Sequence, residues 1–392
     1  MAKLREGKAE MNLKVLTGSI ISSAAVVSLP LLLAPAAAQA QTSPWTVVAS
    51  PNASAGNNQL NAVASIAASD VWAVGSADNT AGNAQPLAEH WDGMSWSIVA
   101  TPAVVTGNLS AVAAISSNDV WAGGGFLLSS RGNTAQFEHW NGRKWTVAKS
   151  PATTATINGM AATSSSDVWA VGDIVSTSTG AAQTFIEHFD GKRWVVVPSP
   201  DASTQSNLLD GVTAISATDA WAVGDFLNAS GVFQTLTEHW DGTSWSIVTS
   251  PAGPGLQNEL LGVTAVSSSD VWAVGDSGSG TLIEQWDGTS WTVVPSPSPA
   301  GTLANPLFGV AAVSATDIWA VGQSQNGTSG IPSTLIEHWD GTSWSIVASP
   351  SPGSAATLSG AAADPASGQA WAVGNLRPTG GGATQTLTEF NP

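Results

Sequence analysis

The sequence predicts an all-β protein, a seven-bladed β-propeller whose blades are four-stranded antiparallel sheets. A phrase whose fullest form is Ser-Asp-Val-Trp-Ala-Val-Gly occurs seven times along the 392 residues. Its tryptophans are 47 to 52 residues apart, a period typical of arrays of small structural repeats. Beyond residue 42 there is no helical periodicity and no helix-capping signal. The seven tryptophans are Trp72, Trp121, Trp169, Trp221, Trp272, Trp319 and Trp371.

The first forty residues differ in composition from the rest of the chain. Four basic residues precede or open an apolar run over residues 15–38, which ends at the small-residue site Ala38-Gln39-Ala40. This order is typical of a secretory signal peptide. We therefore predict a signal peptide over residues 1–40 and a protein that is secreted or held in the cell envelope. A start at Met11 and an uncleaved membrane anchor remain alternatives.

Each repeat contains four strand signals. In one copy the first strand alternates apolar and small residues, a Ser-Ser-Ser-Asp turn follows, and the second strand carries the tryptophan phrase. A variable loop leads to the third strand, and the turn at Asp287-Gly288 leads to the fourth, which Pro295 ends. The strands of this copy are predicted at 260–266, 271–275, 281–286 and 291–294.

The ends of the chain predict how the ring closes. The seventh third-strand phrase, which contains Glu389 and Phe390, is not followed by a fourth strand, whereas a strand without a blade lies at residues 43–50. We predict that this N-terminal strand completes the last blade of a single domain over residues 41–392. The repeats are predicted near 59–100, 108–149, 157–198, 208–249, 260–295, 307–348 and 358–390.

The repeat resembles that of the kelch family, the propeller type of galactose oxidase. The resemblance lies in the glycine that ends the second strand, doubled at Gly123-Gly124, and in the spaced aromatic residues of the third and fourth strands, such as Trp286 and Trp291. It implies a propeller and transfers no site. The phrase Trp-Asp-Gly-x-x-Trp is also similar to the tectonin repeat of secreted lectins, whose units are shorter.

Composition excludes several functions. Without the leader, seven basic residues stand against 26 acidic ones, a formal charge of −19 that disfavours nucleic acid and anionic lipid as partners. The chain has no cysteine, so it has no disulfides, and it has no tyrosine, so it lacks the residues of the copper-radical oxidases. No zinc, phosphate-loop or serine-nucleophile motif is present. We predict no cofactor and no metal, no membrane insertion once the leader is removed, and a monomer.

The aromatic residues and histidines are predicted to be structural. All 19 tryptophans fall on repeat positions, as blade-to-blade packing requires, and Phe189 and Phe390 are taken to replace the third-strand tryptophan where it is missing. Each of the five histidines follows a glutamate, but adjacent strand residues point to opposite faces and cannot share a metal. We expect the glutamate to be a buried carboxylate bonded to a neighbouring blade.

Candidate binding residues lie on the face of the disc that carries the variable loops, where binding residues of rigid scaffolds are found. Three aspartates directly follow the second-strand glycine in consecutive blades, and four polar residues lie near the start of successive inner strands. A cation or a polyhydroxylated ligand could bind there, and a solvated acidic rim is the alternative. The candidates are Asp173, Asp225, Asp276, Asn61, Ser110, Asn158 and Asp210.

Five of the seven basic residues beyond the leader are close together in the repeat pattern. Arg143-Lys144 and Lys192-Arg193 occupy the same turn of adjacent blades, and Lys149 follows nearby. We predict one positive patch on the opposite, constant-turn face, suited to an anionic partner or to the protein's own acidic surface. Chance enrichment is the alternative.

These observations favour a secreted, non-enzymatic module that binds a glycan, a cell-envelope component or an extracellular protein through the variable-loop face. One alternative is an extracellular glycosidase or lyase, because glycosidases need only two well-placed carboxylates. Another is a purely structural surface protein.

Overall fold

A computed structural model describes residues 44–127, 133–152, 154–251, 253, 257–278, 280–302 and 304–392. Within these ranges the regular structure consists of strands, and no helix there is long and apolar enough to cross a membrane. The predicted signal peptide lies outside the described residues. The strands form seven four-stranded antiparallel sheets, each of which is one blade.

The strands follow the order of the repeats. The chain begins with β1 (Thr46–Val48). Blade one contains β2 (Asn58–Ala67), β3 (Asp70–Asp78), β4 (Ala84–Trp91) and β5 (Trp96–Ile98). Blade two contains β6 (Thr106–Ser116), β7 (Asp119–Leu127), β8 (Asn133–Trp140) and β9 (Trp145–Lys149). Blade three contains β10 (Ala155–Ser164), β11 (Asp167–Val175), β12 (Ala182–Phe189) and β13 (Trp194–Val197).

The remaining blades repeat this arrangement. Blade four contains β14 (Asn207–Ser216), β15 (Asp219–Leu227), β16 (Phe233–Trp240) and β17 (Trp245–Ile247). Blade five contains β18 (Glu259–Ser267), β19 (Asp270–Asp276), β20 (Thr281–Trp286) and β21 (Trp291–Val293). Blade six contains β22 (Leu307–Ser314), β23 (Asp317–Gln325), β24 (Pro332–Trp339) and β25 (Trp344–Val347). Blade seven contains β26 (Ala355–Asp364), β27 (Gln369–Arg377) and β28 (Gln385–Asn391).

The fourth strand of blade seven is β1. Thr46 pairs with Phe390 and Val48 with Thr388, so this sheet joins the first and the last strand of the described chain. The inner strand of each blade contacts the inner strand of the next, and β26 contacts β2. The seven blades therefore form a ring around a central channel.

Every inner strand carries a β-bulge at the same place. In blade one Leu60 pairs with Gly75 and Ala62 with Val74, so that Asn61 has no residue opposite it. A bulge bends the strand and redirects the side chain of the extra residue. The bulged residues of the seven blades are Asn61, Ser110, Asn158, Asp210, Leu261, Phe308 and Ser359.

The bulge explains the glycine that ends the tryptophan phrase. A Cβ atom on Gly75 would lie 2.0 Å from the carbonyl oxygen of Gln59 on the inner strand. Any side chain at this position would collide with backbone, so only glycine fits. The same obstruction, at 1.9 to 2.1 Å, is found at Gly75, Gly124, Gly172, Gly224, Gly275, Gly322 and Gly374.

The tryptophans pack blade against blade, as the sequence predicted. The ring of Trp72 in blade one lies 5.1 Å from that of Trp140 and 5.4 Å from that of Trp145, both in blade two. The contact with Trp145 is edge-to-face, a favoured geometry for aromatic pairs. Equivalent contacts join all seven blades, and in blade seven Trp45 of β1 supplies the partner of Trp319 at 5.2 Å.

One aromatic assignment from the sequence is wrong. Phe390 pairs with Trp371, whereas in blade one the residue that pairs with the equivalent Trp72 is His90. Phe390 therefore occupies the histidine position, and the third-strand tryptophan position of blade seven holds Asn391. Phe189 does replace the tryptophan, because it pairs with Val168 as Trp91 pairs with Val71 in blade one.

The third-strand glutamate is buried in all seven blades. In four blades a serine from the end of the preceding blade donates a hydrogen bond to it, as from Ser150 to Glu187 at 2.8 Å and from Ser349 to Glu389 at 3.0 Å. These bonds confirm the predicted link between blades. Burial raises the pKa of each of these glutamates to about 7 or 8, because a charged carboxylate loses its hydration inside the ring.

Candidate functional site

The candidate site is the end of the central channel on the variable-loop face. Inner strands begin and second strands end at this face, so the bulged residues and the residues after the second-strand glycine meet there. A cavity of about 170 Å³ lies among the bulges, with Asn61, Ser110, Asn158, Phe308 and Ser359 in its wall. At ~30 Å³ per water molecule it has room for roughly five waters, or for the end of one side chain.

All four inner-strand candidates from the sequence are bulged residues. Asn61 Nδ2 donates a hydrogen bond to the carbonyl oxygen of Leu109 in the next blade at 2.8 Å, and Asn158 Nδ2 donates to that of Leu209 at 3.1 Å. Ser110 Oγ accepts a bond from Asn108 at 2.9 Å. Since these polar groups are bonded within the ring, they shape the channel wall more than they offer free ligand-binding groups.

The second-strand candidates differ in burial. Asp225 is only 6% exposed, and its Oδ2 atom is buried without a hydrogen-bond partner. Asp173 and Asp276 are half-buried, and burial raises the pKa of both carboxyls. Hydrogen bonds offset part of this rise in pKa. Asn158 bonds to the carboxylate of Asp173, and the backbone of Ser277 and Gly278 bonds to the carboxylate of Asp276.

Asp210 joins these aspartates into one group. Burial raises the pKa of Asp210 to about 8, and the charges of Asp225, Glu259 and Asp173 add to the rise. Burial and the charge of Glu259 raise the pKa of Asp225 to about 7. Glu259 pairs in register with Asp276, and its pKa is raised by burial and, to a smaller extent, by the charge of Asp276. We call Asp173, Asp210, Asp225, Glu259 and Asp276 the acidic cluster.

Sequence reasoning missed Glu259. The signal was present, because Glu259 opens the inner strand of blade five and Asp276 ends the second strand of the same blade. In antiparallel strands joined by a tight turn these two ends must lie side by side. Glu259 does not follow the second-strand glycine, so the pattern that picks out Asp173, Asp225 and Asp276 does not include it.

The acidic cluster is confined to one side of the channel. Each blade places three residues at this mouth: the bulged residue, the residue two positions before it, and the residue after the second-strand glycine. In blades three to five these positions hold all five carboxylates of the cluster, whereas the other four blades have none, and no lysine or arginine occupies any of them. Beside the cluster the bulges of blades five and six hold Leu261 and Phe308, both half-buried.

Among the described residues, no positive charge offsets the acidic cluster. The charges that act on Asp210, Asp225 and Glu259 are those of other carboxylates. In the part of the chain that the structure describes, no group of three or more histidine, aspartate or glutamate side chains is placed to hold a metal ion. The mouth is therefore a site of concentrated negative charge whose side chains do not converge as metal ligands.

The predicted basic residues do not all lie together. Arg143, Lys144, Lys192 and Arg193 are exposed on the turns between the third and fourth strands of blades two and three, on the constant-turn face. Lys149 ends β9 and pairs with Gln136, so it lies four residues along the strand from that turn, about 13 Å at 3.3 Å per residue. Lys149 therefore does not share the position of the two turns, and the joining of these turns into one positive patch stays a prediction.

The two basic turns differ in the charge of the side chain that accepts their backbone hydrogen bonds. In blade three Asp190 accepts the backbone hydrogen bonds of Lys192 and Arg193, each at 2.9 Å. In blade two Asn141 accepts the same two bonds, at 3.1 and 3.2 Å, without a negative charge. The turn of blade two is therefore the more positive of the pair.

No protein-family description and no curated protein matches the chain. Among solved structures, YCF48 bound to a D1 peptide is similar over 89% of this chain and 97% of that one, with 14% identity and a TM-score of 0.53. The WD40 repeats of RRP9 cover 88% and 97%, with 10% identity and a TM-score of 0.54. A GH74 xyloglucanase from Xanthomonas campestris covers 84% of this chain and only 53% of its own, with 14% identity and a TM-score of 0.55. At these identities the likeness establishes the fold, and the chain is a seven-bladed β-propeller.

Proposed function

We propose that this chain is an exported, non-enzymatic propeller that binds an extracellular or cell-envelope partner through the channel mouth on its variable-loop face. The observation that carries the proposal is the asymmetry of that mouth. Positions that repeat round the ring are engaged in packing or internal hydrogen bonds, whereas Asp210, Leu261 and Phe308 at the mouth of blades four to six follow no repeat. Irregular residues on a regular scaffold are typical of a binding surface.

A protein segment fits this mouth better than a glycan. Sugars are bound by stacking on exposed aromatic faces, but all seven second-strand tryptophans are buried between blades. Phe308 is the one aromatic residue in the described wall of the channel cavity. YCF48, which has a similar fold, was solved with a peptide bound. The kelch type of the repeat stays part of the proposal, supported by the glycine that ends each second strand.

Binding arrays test the proposal. The labelled full chain is applied to a peptide array and a glycan array, beside the mouth variant Phe308→Ala and the constant-turn variant Thr243→Ala. We expect binding to peptides that Phe308→Ala weakens and Thr243→Ala leaves unchanged. Binding to glycans alone would replace the protein partner with a glycan. No binding on either array would refute the interaction module and favour a purely structural protein.

A second candidate is an enzyme that acts on polysaccharide. It is favoured by two neighbouring carboxyls of raised pKa, Asp210 and Asp225, since a general acid in glycoside hydrolysis must stay protonated near neutral pH. The xyloglucanase of similar fold is consistent with it. The test is release of reducing ends from polysaccharides by the wild type and by Asp210→Asn. Release that the substitution abolishes would support the enzyme, and no release by the wild type would refute it.

A further inference from the structure

The acidic cluster is not explained by the fold. Some carboxyls that serve the fold are buried alone, as Glu138 is, whereas Asp167 has a partner in His188 at 2.7 Å. Asp225 is equally buried, yet its Oδ2 has no hydrogen-bond partner and Glu259 adds a second negative charge beside it. A buried, unpaired carboxylate costs stability unless a positive charge or a donor reaches it. In the part of the chain that the structure describes, no lysine or arginine supplies that positive charge, so a cation from outside fits this site.

The missing cation has to come from a group that reaches below the surface. The cluster spans three blades, from Asp173 on β11 to Asp276 on β19, and its side chains do not converge as the ligands of a metal ion. A lysine or arginine side chain carries its charge on a long apolar stem and offers several donors, so it can serve carboxylates that are spread apart. The channel cavity at its edge has room for the end of such a side chain.

The wall beside the cluster adds a second requirement. Going round the ring of bulged residues, Asp210 of blade four is followed by Leu261 of blade five and Phe308 of blade six. Neighbouring bulges approach closely, because a Cβ atom added to Gly211 would lie 3.3 Å from the carbonyl oxygen of Leu261. Both apolar side chains are half-buried, and Phe308 lines the channel cavity. An apolar group next to the cation would therefore cover them.

We propose that the acidic cluster receives the positively charged end of an arginine or lysine side chain of a partner protein, while an apolar neighbour of that residue packs on Leu261 and Phe308. This inference rests on the function proposed above and names the partner's chemistry: an extended segment with a basic residue beside an apolar one. The charge steers the segment to the mouth, and the apolar contact fixes its direction.

The experiment begins with phage-displayed random 12-residue peptides selected on the full-length wild-type chain. Peptides that are enriched are synthesised with their arginine or lysine intact and with citrulline or norleucine in its place. Affinity is measured by calorimetry for the wild type, Asp210→Asn and Glu259→Gln. The matched control is Asp78→Asn, which removes one charge on the same face of blade one, where the acidic cluster is absent.

We expect the enriched peptides to contain a basic residue next to an apolar one. Asp210→Asn and Glu259→Gln should each weaken binding at least tenfold, as should citrulline or norleucine, whereas Asp78→Asn should change it less than twofold. Enriched peptides without a basic residue, or with affinity unchanged by Asp210→Asn, would overturn this inference and leave the proposed binding function standing. If the selection and both arrays yield no binder, the proposed function itself fails.

Both variants replace a carboxylate that has like-charged neighbours, so they are expected to fold. Thermal unfolding of each variant checks this before affinity is compared. If Asp210→Asn does not fold, Glu259→Gln provides the same test, because Glu259 lies at the half-buried start of β18 rather than inside the channel.

Discussion

His90 Nε2 lies 2.8 Å from Asp70 Oδ1, which joins the third strand of blade one to its second strand next to the turn. The imidazole also packs on Trp72, with ring centroids 4.5 Å apart. Five blades repeat this pair at 2.7 to 2.9 Å. The histidines therefore serve the fold, as the sequence predicted.

The two exceptional blades show that the pair is a unit. In blade five Gln285 replaces the histidine and donates to Asp270 at 2.9 Å, so the hydrogen bond is kept. In blade seven Phe390 replaces the histidine and Gln369 stands where the aspartate would be, while the contact with Trp371 is kept at 4.7 Å. The aspartate is absent only where its partner cannot donate.

The first prediction concerns this pair in blade four. His239→Gln should keep the free energy of unfolding within about 1 kcal/mol of the wild type, because glutamine makes the same bond in blade five. Asp219→Ala should lower it by about 0.5–1.5 kcal/mol, because the half-buried histidine loses its hydrogen-bond partner. Urea unfolding at pH 7 measures both. Equal losses would show that the bond itself is unimportant.

The second prediction uses two adjacent glycines. Gly124→Ala should severely destabilise the protein, because its Cβ would lie 2.0 Å from the carbonyl oxygen of Asn108. Gly125→Ala should be tolerated, because its nearest neighbour is the methyl group of Thr156 at 3.6 Å. The comparison is made by thermal unfolding and by the yield of folded protein. Similar behaviour of the two variants would contradict the close approach at the bulge.

The third prediction is that stability falls as pH rises from about 5 to 9. The buried glutamates have a pKa of 4.5 when unfolded and about 7 or 8 when folded, so the folded state binds more protons across this interval. Their contribution is complete below pH 4.5 and is lost as pH passes 7 to 8. The exposed turn aspartates act oppositely, because hydrogen bonds lower their pKa from 3.8 to about 2, which favours the folded state above pH 3.8 and is lost as the pH falls to about 2.

Glu138→Gln isolates one of these groups. Neither carboxyl oxygen of Glu138 has a hydrogen-bond partner, and its pKa is about 8. The variant should unfold with a pH slope shallower by up to about 1.4 kcal/mol per pH unit between pH 5 and 8. Urea unfolding at four pH values measures the slope, with Asp78→Asn as the control for net charge. An unchanged slope would contradict the assignment.

The fourth prediction contrasts two buried aspartates. Asp225→Asn should raise the free energy of unfolding at pH 8 by about 1–3 kcal/mol, because it removes an unpaired charge beside Glu259. Asp167→Asn should lower it, because Asp167 bonds to His188 and to Thr163. Thermal unfolding of both variants decides. A loss at Asp225 would show that this carboxylate serves the fold and would remove the reason to seek a cation there.

Most of the fold could be predicted from the sequence repeat. Three features predict the number of blades, the order of the strands and the packing between blades. They are a tryptophan about every fifty residues, a tight turn on each side of it and a missing strand at one end of the chain. The sequence also carried the correct position of Phe390, since it directly follows Glu389 as His90 follows Glu89. The prediction was wrong because it rested on the aromatic side chain of Phe390 and not on its position directly after the glutamate.

The site was less predictable because it depends on register. Strand alternation assigns residues to faces, but a bulge adds one residue without changing composition, so the common environment of Asn61 and Asp210 could not be read from pattern alone. Burial of Asp225 is a property of the assembled ring that the residues of its own repeat do not show. Lys149 was misplaced because the length of β9 decides which end of the blade it reaches.

The bulges also separate specificity from stability. Because the extra residue of each inner strand has no cross-strand neighbour, its side chain can be exchanged without disturbing the ladder of its own blade, and only Asn61 and Asn158 would lose a described bond to the next blade. Seven such positions surround one opening, and each comes from a different blade. An engineer could therefore rewrite the chemistry of this opening residue by residue, with the tryptophan ring kept as a constant frame, to obtain propellers with new binding preferences.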